Sequence, residues 1–517
     1  MQIYLECGYT ERDATSLILE NNLFGLDIDD RAYQLAYFAV MMKARSYDRR
    51  ILTRGVKPNV YSIKESKFLA DSWQKISDDE KFREIFQTVV DTFIDAKEYG
   101  SILNVPDADY DYVLSVIDDF QQSVPVDFEV QILRGKTDDI RALVNQAKLM
   151  AKKYTAVVTN PPYMNKFDAK LKKYIADNFA EYKGDLFSVF MYHNFYFCTP
   201  DGYSAFMTPN VWMFIKSYEA LRKYIINYKG ISSLIQMAKG AFFKEATVDI
   251  CAFVLHNSHN NLGDFIRLED FKGDMEIQKQ KVLEALADKS CGYYYETDQT
   301  NFSKIPGSPI AYWLSLHCIS LFADNPSLSS IMDVCQGMKT ADNNRFLRLW
   351  HEPAFVNGEK WFSYNKGGDY RRWYGNREYV VNWENNGKAI KKYEKSVIRN
   401  ERHFFDEGLT WTLISSGTFG IRYSPAGSIF DGNGSMVFPD HAILLYTLGV
   451  LSSKVATKLL SVLSPTLTFE IGQLSKLPFK LEPSEEINHT VGQNIVIAQS
   501  DWDSYETSWD FKRNPLV

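Results

Sequence analysis

Cysteine, histidine and long apolar runs are all scarce in this chain of 517 residues, which has six cysteines and eight histidines. The cysteines lack the paired spacing of a disulfide framework or a zinc ribbon. The start of the chain has no charged-then-apolar signal pattern, and no window approaches the run of about 18–20 apolar residues that crosses a bilayer. These absences argue against secreted disulfide scaffolds and membrane-spanning proteins. We expect a cytoplasmic protein without a metal centre.

The composition is that of a large globular protein, since 45% of the residues are apolar and the net charge is −7. The length allows two to four domains. Charge is unevenly distributed, because residues 360–405 hold eleven Lys/Arg and five Asp/Glu interleaved with aromatic residues. Such a segment offers phosphate contacts and stacking faces for nucleic acid. A solvated face over an ordinary aromatic core is the alternative interpretation.

The most informative segment is a β-branched run, residues 157–159, that leads into Asn160-Pro161-Pro162-Tyr163. Two consecutive prolines stiffen a turn and lack N–H groups, which leaves its carbonyls free for a ligand. The Asn160 side-chain oxygen and the Pro161 carbonyl could accept both hydrogens of a planar amine, and Tyr163 offers a flat face for an extruded base. The motif therefore indicates amine methylation, although a plain strand-ending turn is the alternative.

This segment resembles the catalytic motif of amino-methyltransferases, in particular the adenine-N6 DNA methyltransferases that use S-adenosyl-L-methionine. Four longer stretches are similar to the large adenine-specific methyltransferases of bacterial phage-exclusion systems: residues 21–32, 185–191, 306–313 and 464–467. The resemblance implies an α/β fold, with a class I S-adenosylmethionine-dependent methyltransferase core in which helices cover both faces of a Rossmann-like sheet. It also implies a mixed α/β target-recognition domain, double-stranded DNA and other phage-defence proteins as partners, and a role in marking host DNA.

The donor site is predicted from a helix over residues 9–20, a short buried strand over 23–28 and a second helix through Ala44. A carboxylate at the end of the second strand of such a unit holds ribose hydroxyls. By resemblance, Asp27 binds the ribose of the donor and Ile28 packs on its adenine. Asp29 and Asp30 are interpreted as helix caps.

Further site residues follow from the resemblance. Asp185, at the start of an apolar helix, helps to shape the donor and adenine sites, caps the helix, or does both. Phe242 or Phe243 is the second residue to stack on the base, with plain core packing as the alternative. Residues 95–101 look typical of the family, with a helix C-cap at Gly100.

The predicted domains are a catalytic core over residues 1–50 and 121–270, a helical insertion over 51–120, a connector over 271–330 and a target-recognition domain over 331–517. A DNA reader directs cations at phosphates and polar side chains at base edges. The candidate DNA-binding residues are Arg345, Arg371, Arg372, Lys391, Lys392 and Arg399.

A glycine-rich donor loop is missing from the expected place, because Gly432-Asn433-Gly434 lies among turn residues far downstream. We therefore expect a truncated core that lacks its first strand and donor loop, in a larger protein that continues past the carboxyl end. Three functions remain open. They are DNA adenine-N6 methylation, DNA binding by an incomplete fragment that needs a partner, and methylation of RNA or of a protein glutamine.

Overall fold

The computed structural model describes residues 1–69, 72–124, 127–242, 248–353, 359–415, 418–463 and 468–514. Stretch 464–467 of the family resemblance lies outside these described residues. The helices are α1 (Gln2–Glu6), α2 (Glu11–Leu17), α3 (Asp30–Tyr47), α4 (Glu80–Thr92), α5 (Ala96–Tyr99), α6 (Tyr110–Gln122), α7 (Phe128–Gly135), α8 (Thr137–Ala151), α9 (Ala169–Asn178), α10 (Leu186–Phe197), α11 (Glu219–Tyr228), α12 (Met275–Ala287), α13 (Leu316–Asp324), α14 (Asn343–Phe346), α15 (Glu384–Lys391), α16 (Leu444–Leu451), α17 (Lys454–Leu463), α18 (Ile471–Leu474) and α19 (Glu485–Asp503).

The strands complete a mixed α/β architecture. They are β1 (Phe24–Asp27), β2 (Asn59–Ser62), β3 (Tyr154–Thr159), β4 (Cys198–Pro209), β5 (Gly230–Gln236), β6 (Ile250–His256), β7 (Leu262–Arg267), β8 (Tyr294–Asp298), β9 (Asp333–Cys335), β10 (Leu347–Leu349), β11 (Trp361–Asn365), β12 (Tyr379–Asn382), β13 (Gly408–Trp411), β14 (Ile421–Ser424), β15 (Ser428–Phe430) and β16 (Met436–Phe438). The largest sheet is six-stranded, with the order β3-β4-β6-β5-β7-β8.

The chain divides into two compact units. Unit 1 contains Met1–Pro209, Tyr228–Asn260 and Leu268–Met275. Unit 2 contains Asn210–Asn227, Asn261–Arg267 and Glu276–Val517.

Unit 1 holds two sets of strands. β1 and β2 form a parallel pair, and β3 pairs in parallel with β4. β6 is antiparallel to both β4 and β5, so β3, β4 and β5 all point the same way. Their carboxyl ends therefore lie at one edge, which is where ligands bind in open α/β sheets.

The helices of unit 1 follow the amphipathic pattern of their sequences. On α4, Phe82 and Phe86 are four residues apart and both are buried, and on α6 the same spacing buries Val113 and Ile117. These faces share one core with α8. α10 differs because most of its residues are apolar, and it is buried nearly all round.

The helix–strand–helix order at the start of unit 1 is present, with shifted bounds. The first helix is α2 and continues as a turn of π-helix over Ile18–Asn22. β1 was expected to be buried, but its four residues are only half-buried. Residues 50–150 are helix-rich as predicted, although Asn59–Ser62 forms β2. β2 has only four residues, which are too few to show the alternation of apolar and polar residues that predicts a strand.

The residue types of Asp201-Gly202-Tyr203 predict a turn before a strand over residues 204–208, but these three residues lie inside β4, where Asp201 has a φ of 58° and the pairing with β3 is irregular. The pattern of residues 210–222 predicts a single helix, but the structure has two 3-10 turns, Asn210–Met213 and Lys216–Tyr218, followed by α11. The strand that the apolar run over residues 250–255 predicts is present as β6.

Unit 2 contains two further sheets, each of four strands. Their orders are β10-β12-β11-β15 and β14-β13-β16-β9. A large core packs α16, α17 and α19 with residues of β13, including Trp411. Gly432-Asn433-Gly434 forms the loop between β15 and β16, as predicted, and the Asn433 N–H donates to Asp431 Oδ1 over 2.8 Å.

Among the described residues, no single helix is long and apolar enough to cross a membrane. One pair, His441–Leu451 with Lys454–Leu463, reaches that length only when joined across a 74° bend.

The stretch 306–313 has a structural role in unit 2. Arg222 is 1% exposed, and its guanidinium donates to the carbonyls of Trp212 (2.7 Å), Ile215 (2.8 Å) and Gly307 (2.6 Å). Burial lowers the pKa of Arg222 to about 10, and the side chain remains a cation at neutral pH. This cation therefore holds the stretch 306–313 to the turns that precede α11.

We expect Arg222→Met to lower the free energy of unfolding by about 3 kcal/mol, because the carbonyls that this side chain bonds lose a charged donor. Urea denaturation followed by tryptophan fluorescence measures this change. Arg513→Met, at an exposed position, is the matched control and should leave the midpoint unchanged. Equal midpoints for both variants would contradict the role given to Arg222.

Candidate active site

The loop that follows β3 presents Asn160 to solvent and buries Pro161. The Tyr163 hydroxyl lies 3.2 Å from Asn160 Oδ1 and 3.1 Å from the Met207 carbonyl oxygen. It can donate its hydrogen to either of these two acceptors. Burial raises the pKa of Tyr163, so the hydroxyl stays protonated and acts as a donor at neutral pH. The Asn160 oxygen is thereby oriented by its own loop and by the neighbouring strand β4.

Two acceptors of this loop have capacity for a further hydrogen bond. An amide oxygen has two lone pairs, and Tyr163 uses at most one of those on Asn160. No residue described in the structure donates a hydrogen bond to the Pro161 carbonyl. Beside them, Val158 of β3 is 79% exposed. The loop therefore offers two acceptors with spare capacity, and their use for a planar amine stays a prediction.

Asp185 joins this loop to α10. Its Oδ1 accepts from the Met164 N–H over 2.9 Å and from the Phe187 N–H over 3.3 Å. Ser188 completes a capping box, since its hydroxyl lies 3.2 Å from the Asp185 N–H. Burial raises the pKa of Asp185, and the backbone donors oppose that shift. The helix-cap interpretation of Asp185 is confirmed, and its part in the donor site stays a prediction.

The loop that follows β1 has its own bonds. The Asp27 carbonyl accepts from the Ile63 N–H over 2.9 Å, and Asp27 Oδ1 accepts from the Asp29 N–H over 2.8 Å. The second Asp27 carboxylate oxygen receives no hydrogen bond from any described residue. Ile28 is 42% exposed. A carboxylate oxygen and an apolar side chain at a strand end fit a ribose and a purine ring.

The cap interpretation holds for Asp29 and is wrong for Asp30. Asp29 Oδ1 accepts from the backbone N–H groups of Arg31 (2.7 Å) and Ala32 (3.3 Å) at the start of α3. Asp30 instead bonds the Ser62 hydroxyl and, over 3.2 Å, Lys97 Nζ. The Ser62 bond, then the Lys97 bond, lowers the pKa of Asp30. Lys97 was not singled out from the sequence, although residues 95–101 were.

A cavity of about 430 Å³ lies in unit 1, lined by residues of β1, of β3 and of α10. Among the described strands, β1 pairs with β2 and β3 pairs with β4, so each turns an open edge to this space. Asn194 of α10 lines the cavity and is 3% exposed, and its Nδ2 has no hydrogen-bond partner among the described residues. The cavity thus contains a buried amide donor beside two open strand edges.

The predicted stacking residues are only partly described. Phe242 is 38% exposed and lies between β5 and β6, on the segment that leaves the same sheet edge as the loop after β3. Phe243 lies outside the described residues.

Four of the six candidate DNA-binding cations are held within unit 2. Arg371 Nη1 lies 3.1 Å from Asp501 Oδ2, and Lys391 Nζ lies 2.5 Å from Glu401 Oε1. Arg372 donates to the Ser452 carbonyl, and Arg399 donates to Gln336 Oε1. To contact a phosphate or a base, each of these four side chains must either leave its present partner or bind both partners at once.

The two remaining cations have no ion pair with a described residue. Arg345 is exposed and lies over the rings of Phe346 and Tyr393, and Lys392 is exposed at the end of α15. The aromatic residues of this segment are divided, because Tyr364 and Trp383 are buried and Tyr370 is exposed. The alternative of a solvated face over an aromatic core therefore accounts for part of residues 360–405.

The topology defines a mixed α/β fold with loops at the strand ends. Residues 21–243 match the Eco57I restriction-modification methylase family. Over its whole length the chain is 35% identical to the adenine-specific methyltransferase PglX of Lacticaseibacillus casei (strain Zhang) and 35% identical to the adenine-specific methyltransferase BrxX of Escherichia coli O9:H4 (strain HS). It spans 45% of the length of each.

The chain is therefore a homologue of these adenine-specific methyltransferases, and the resemblance seen in the sequence is confirmed. Among solved structures, the Type IIL restriction-modification enzyme MmeI in complex with DNA matches all of this chain and 70% of its own, with a TM-score of 0.50 and 11% identity. At that identity the likeness concerns the fold alone. It supports the mixed α/β fold expected from the sequence.

We expect Asp185→Ala to expose the Met164 amide to exchange, because the carboxylate that holds this N–H is removed. The free energy of unfolding should also fall by about 1 kcal/mol, because α10 loses its N-cap. Asp168→Ala is the matched control, since Asp168 caps α9 by accepting from the Leu171 N–H over 2.9 Å. Hydrogen exchange should rise at residues 163–164 in the first variant only, and equal exchange in both would contradict the link.

Proposed function

We propose that this chain is a site-specific, adenine-specific DNA methyltransferase that moves a methyl group from S-adenosyl-L-methionine to adenine N6 of a flipped-out base. The observation that carries the proposal is the Asn160 oxygen, bonded by Tyr163, next to a Pro161 carbonyl that receives no hydrogen bond from a described residue. The names of the relatives support adenine as the target, since both are adenine-specific methyltransferases. Asn160, Pro161, Pro162 and Tyr163 form the catalytic loop.

The mechanism is one of orientation. The Asn160 oxygen and the Pro161 carbonyl accept the two hydrogens of the adenine amine, which turns the nitrogen lone pair out of conjugation. The donor supplies a methyl group on a sulfonium, which leaves as a neutral thioether when the nitrogen–carbon bond forms. A nitrogen held near attack geometry then needs no strong general base before the transfer. The proton is lost from the methylated nitrogen.

The donor fits the loop after β1. Asp27 offers a carboxylate oxygen for ribose hydroxyls, and Ile28 offers an exposed apolar side chain for the adenine ring. Asp185 would act through the loop that it holds. The residues of unit 1 thus suit a class I S-adenosylmethionine-dependent fold, in which no metal is required.

Flipping the adenine costs a few kcal/mol, which stacking recovers. Tyr163 is proposed as one stacking face, and Phe242 or Phe243 as the other. The partly exposed Phe242 supports this role.

Double-stranded DNA is the proposed substrate, and residues 331–517 the proposed target-recognition domain after a connector over 271–330. Arg345 and Lys392 are the exposed candidates without an ion pair to a described residue. Marking of host DNA in anti-phage defence, beside other defence proteins, is the biological role that we propose. The catalytic core would comprise residues 1–50 and 121–270, with the insertion at 51–120.

We expect Asn160→Ala to lower DNA methylation by at least about 100-fold, comparable to the loss of one oriented hydrogen-bonding group in other active sites. DNA affinity should stay within several-fold. Transfer of labelled methyl to duplex DNA and mass spectrometry of N6-methyladenine measure the rate, with exposed Asn165→Ala as the control. Unchanged methylation in Asn160→Ala would remove this mechanism. Transfer to ribosomal RNA or to a glutamine peptide in place of DNA would favour the RNA or protein alternative.

A second candidate function is DNA binding by a chain whose donor site is completed by an added polypeptide segment. The cavity between the edges of β1 and β3 favours it, because two open edges and the Asn194 amide would all pair with an extended backbone. Such a segment would emerge between Asp27 and Asn160. A partner could supply the donor loop there.

Calorimetry with S-adenosyl-L-methionine, with and without duplex DNA, distinguishes the two candidates. For the first we expect micromolar donor binding that disappears in Asp27→Ala, because the ribose loses its acceptor. Asp201→Ala, at a side chain that is 78% exposed, is the matched control and should bind as the unmodified chain does. DNA binding without donor binding would support the second candidate in place of the first.

A further inference from the structure

Residues 95–101 form a short segment that is held by two ion pairs and an aromatic stack. Asp95 Oδ1 lies 2.7 Å from Lys67 Nζ and 2.9 Å from Lys170 Nζ, and these two bonds lower the pKa of Asp95. The Tyr99 ring stacks on Tyr174 with centroids 4.4 Å apart. The segment is thus anchored on both sides of α5, which carries Lys97.

Lys97 reaches from this anchored segment to the loop after β1. Its Nζ lies 2.6 Å from the Ile28 carbonyl oxygen, 3.2 Å from Asp30 Oδ1 and 3.3 Å from Ser62 Oγ. An ammonium has three N–H donors and no acceptor. The three donors therefore have three possible partners, which lie on β2, on the loop after β1 and at the first residue of α3.

Gly100 lies close to the side chain of Ile28, in the same loop. Its φ of 62° and ψ of −144° belong to a region that is open only to glycine, and it ends α5 as predicted. A Cβ at this position would meet Ile28 Cδ1 at 3.4 Å. Lys97 thus bonds the Ile28 carbonyl, and the Ile28 side chain ends in the space that a Cβ at position 100 would border.

We propose that Lys97 is a positioning residue for donor binding, which fixes the loop of residues 27–30 so that Asp27 and Ile28 keep the geometry that the donor needs. The inference rests on the proposed function, because it assigns the donor to that loop. Lys97 itself touches no reacting atom. Its contribution lies in holding the Ile28 carbonyl, which fixes the backbone from which the Asp27 carboxylate and the Ile28 side chain extend.

The test compares Lys97→Met with Lys67→Met. Both variants remove a lysine from the same anchored network, but Lys67 bonds Asp95 and Glu65 and does not contact the loop of residues 27–30. We expect Lys97→Met to weaken S-adenosyl-L-methionine binding about 10-fold and to raise the donor KM by a similar factor. The DNA KM and kcat should change less than twofold. Lys67→Met should bind the donor as the unmodified chain does.

Hydrogen exchange without donor makes the result independent of the proposed function. In Lys97→Met the amides of residues 29–32 should exchange at least several-fold faster, and in Lys67→Met they should not. If the unmodified chain binds no donor, the proposed donor site fails, and these exchange rates alone decide whether Lys97 orders the loop. Equal exchange and equal donor affinity in the two variants would overturn the inference.

Ser62→Ala covers the case in which Lys97→Met does not fold. It removes one acceptor of the ammonium and leaves the Ile28 carbonyl bond in place. We expect a smaller change in the same direction, about threefold in donor affinity. Donor affinity and exchange equal to those of the unmodified chain would count against the network.

Discussion

The buried carboxylate of Asp185 is the interaction on which the candidate site depends. It accepts the Met164 N–H at the end of the catalytic loop and caps α10, a helix that is buried nearly all round. A loop with two prolines cannot form a ladder of its own, so its position must come from bonds at its ends. One end continues β3 and the other is held by Asp185. The oriented Asn160 oxygen follows from both.

The loop after β1 is held in a similar way, but by a cation, Lys97, instead of a carboxylate. Lys97 bonds the Ile28 carbonyl from outside the strand, as Asp185 bonds the Met164 N–H. In both cases one buried or half-buried ionic group satisfies backbone atoms that a strand end leaves without partners. Such bonds keep a loop ordered and leave its functional side chains free. The proposed donor and amine sites would therefore share one building principle at two strand ends of unit 1.

Much of this was accessible from local patterns. The β-branched run before Asn160 ended as expected in a proline turn, Asp185 capped an apolar helix, and Gly100 ended α5. Other elements were not accessible. β2 has four residues and is a strand because β1 pairs with it, and the region 210–222 forms turns that Arg222 organises through carbonyls far along the chain. Arg371 and Arg372 read as free cations, yet they bond Asp501 and Ser452, which are remote in sequence.

The sequence by itself determined the likeness to the adenine-specific methyltransferases, the Asn-Pro-Pro-Tyr turn after β3 and the acidic residue at the end of β1, because each depends on residue types at short spacing. Only the tertiary structure decided which groups hold those residues in place. Lys97 lies 69 residues from Ile28, and Tyr163 lies 44 residues from Met207, and no local pattern connects either pair. A hydrogen bond depends on how close its atoms lie in space. The chain brings these atoms together only when the strands and helices pack.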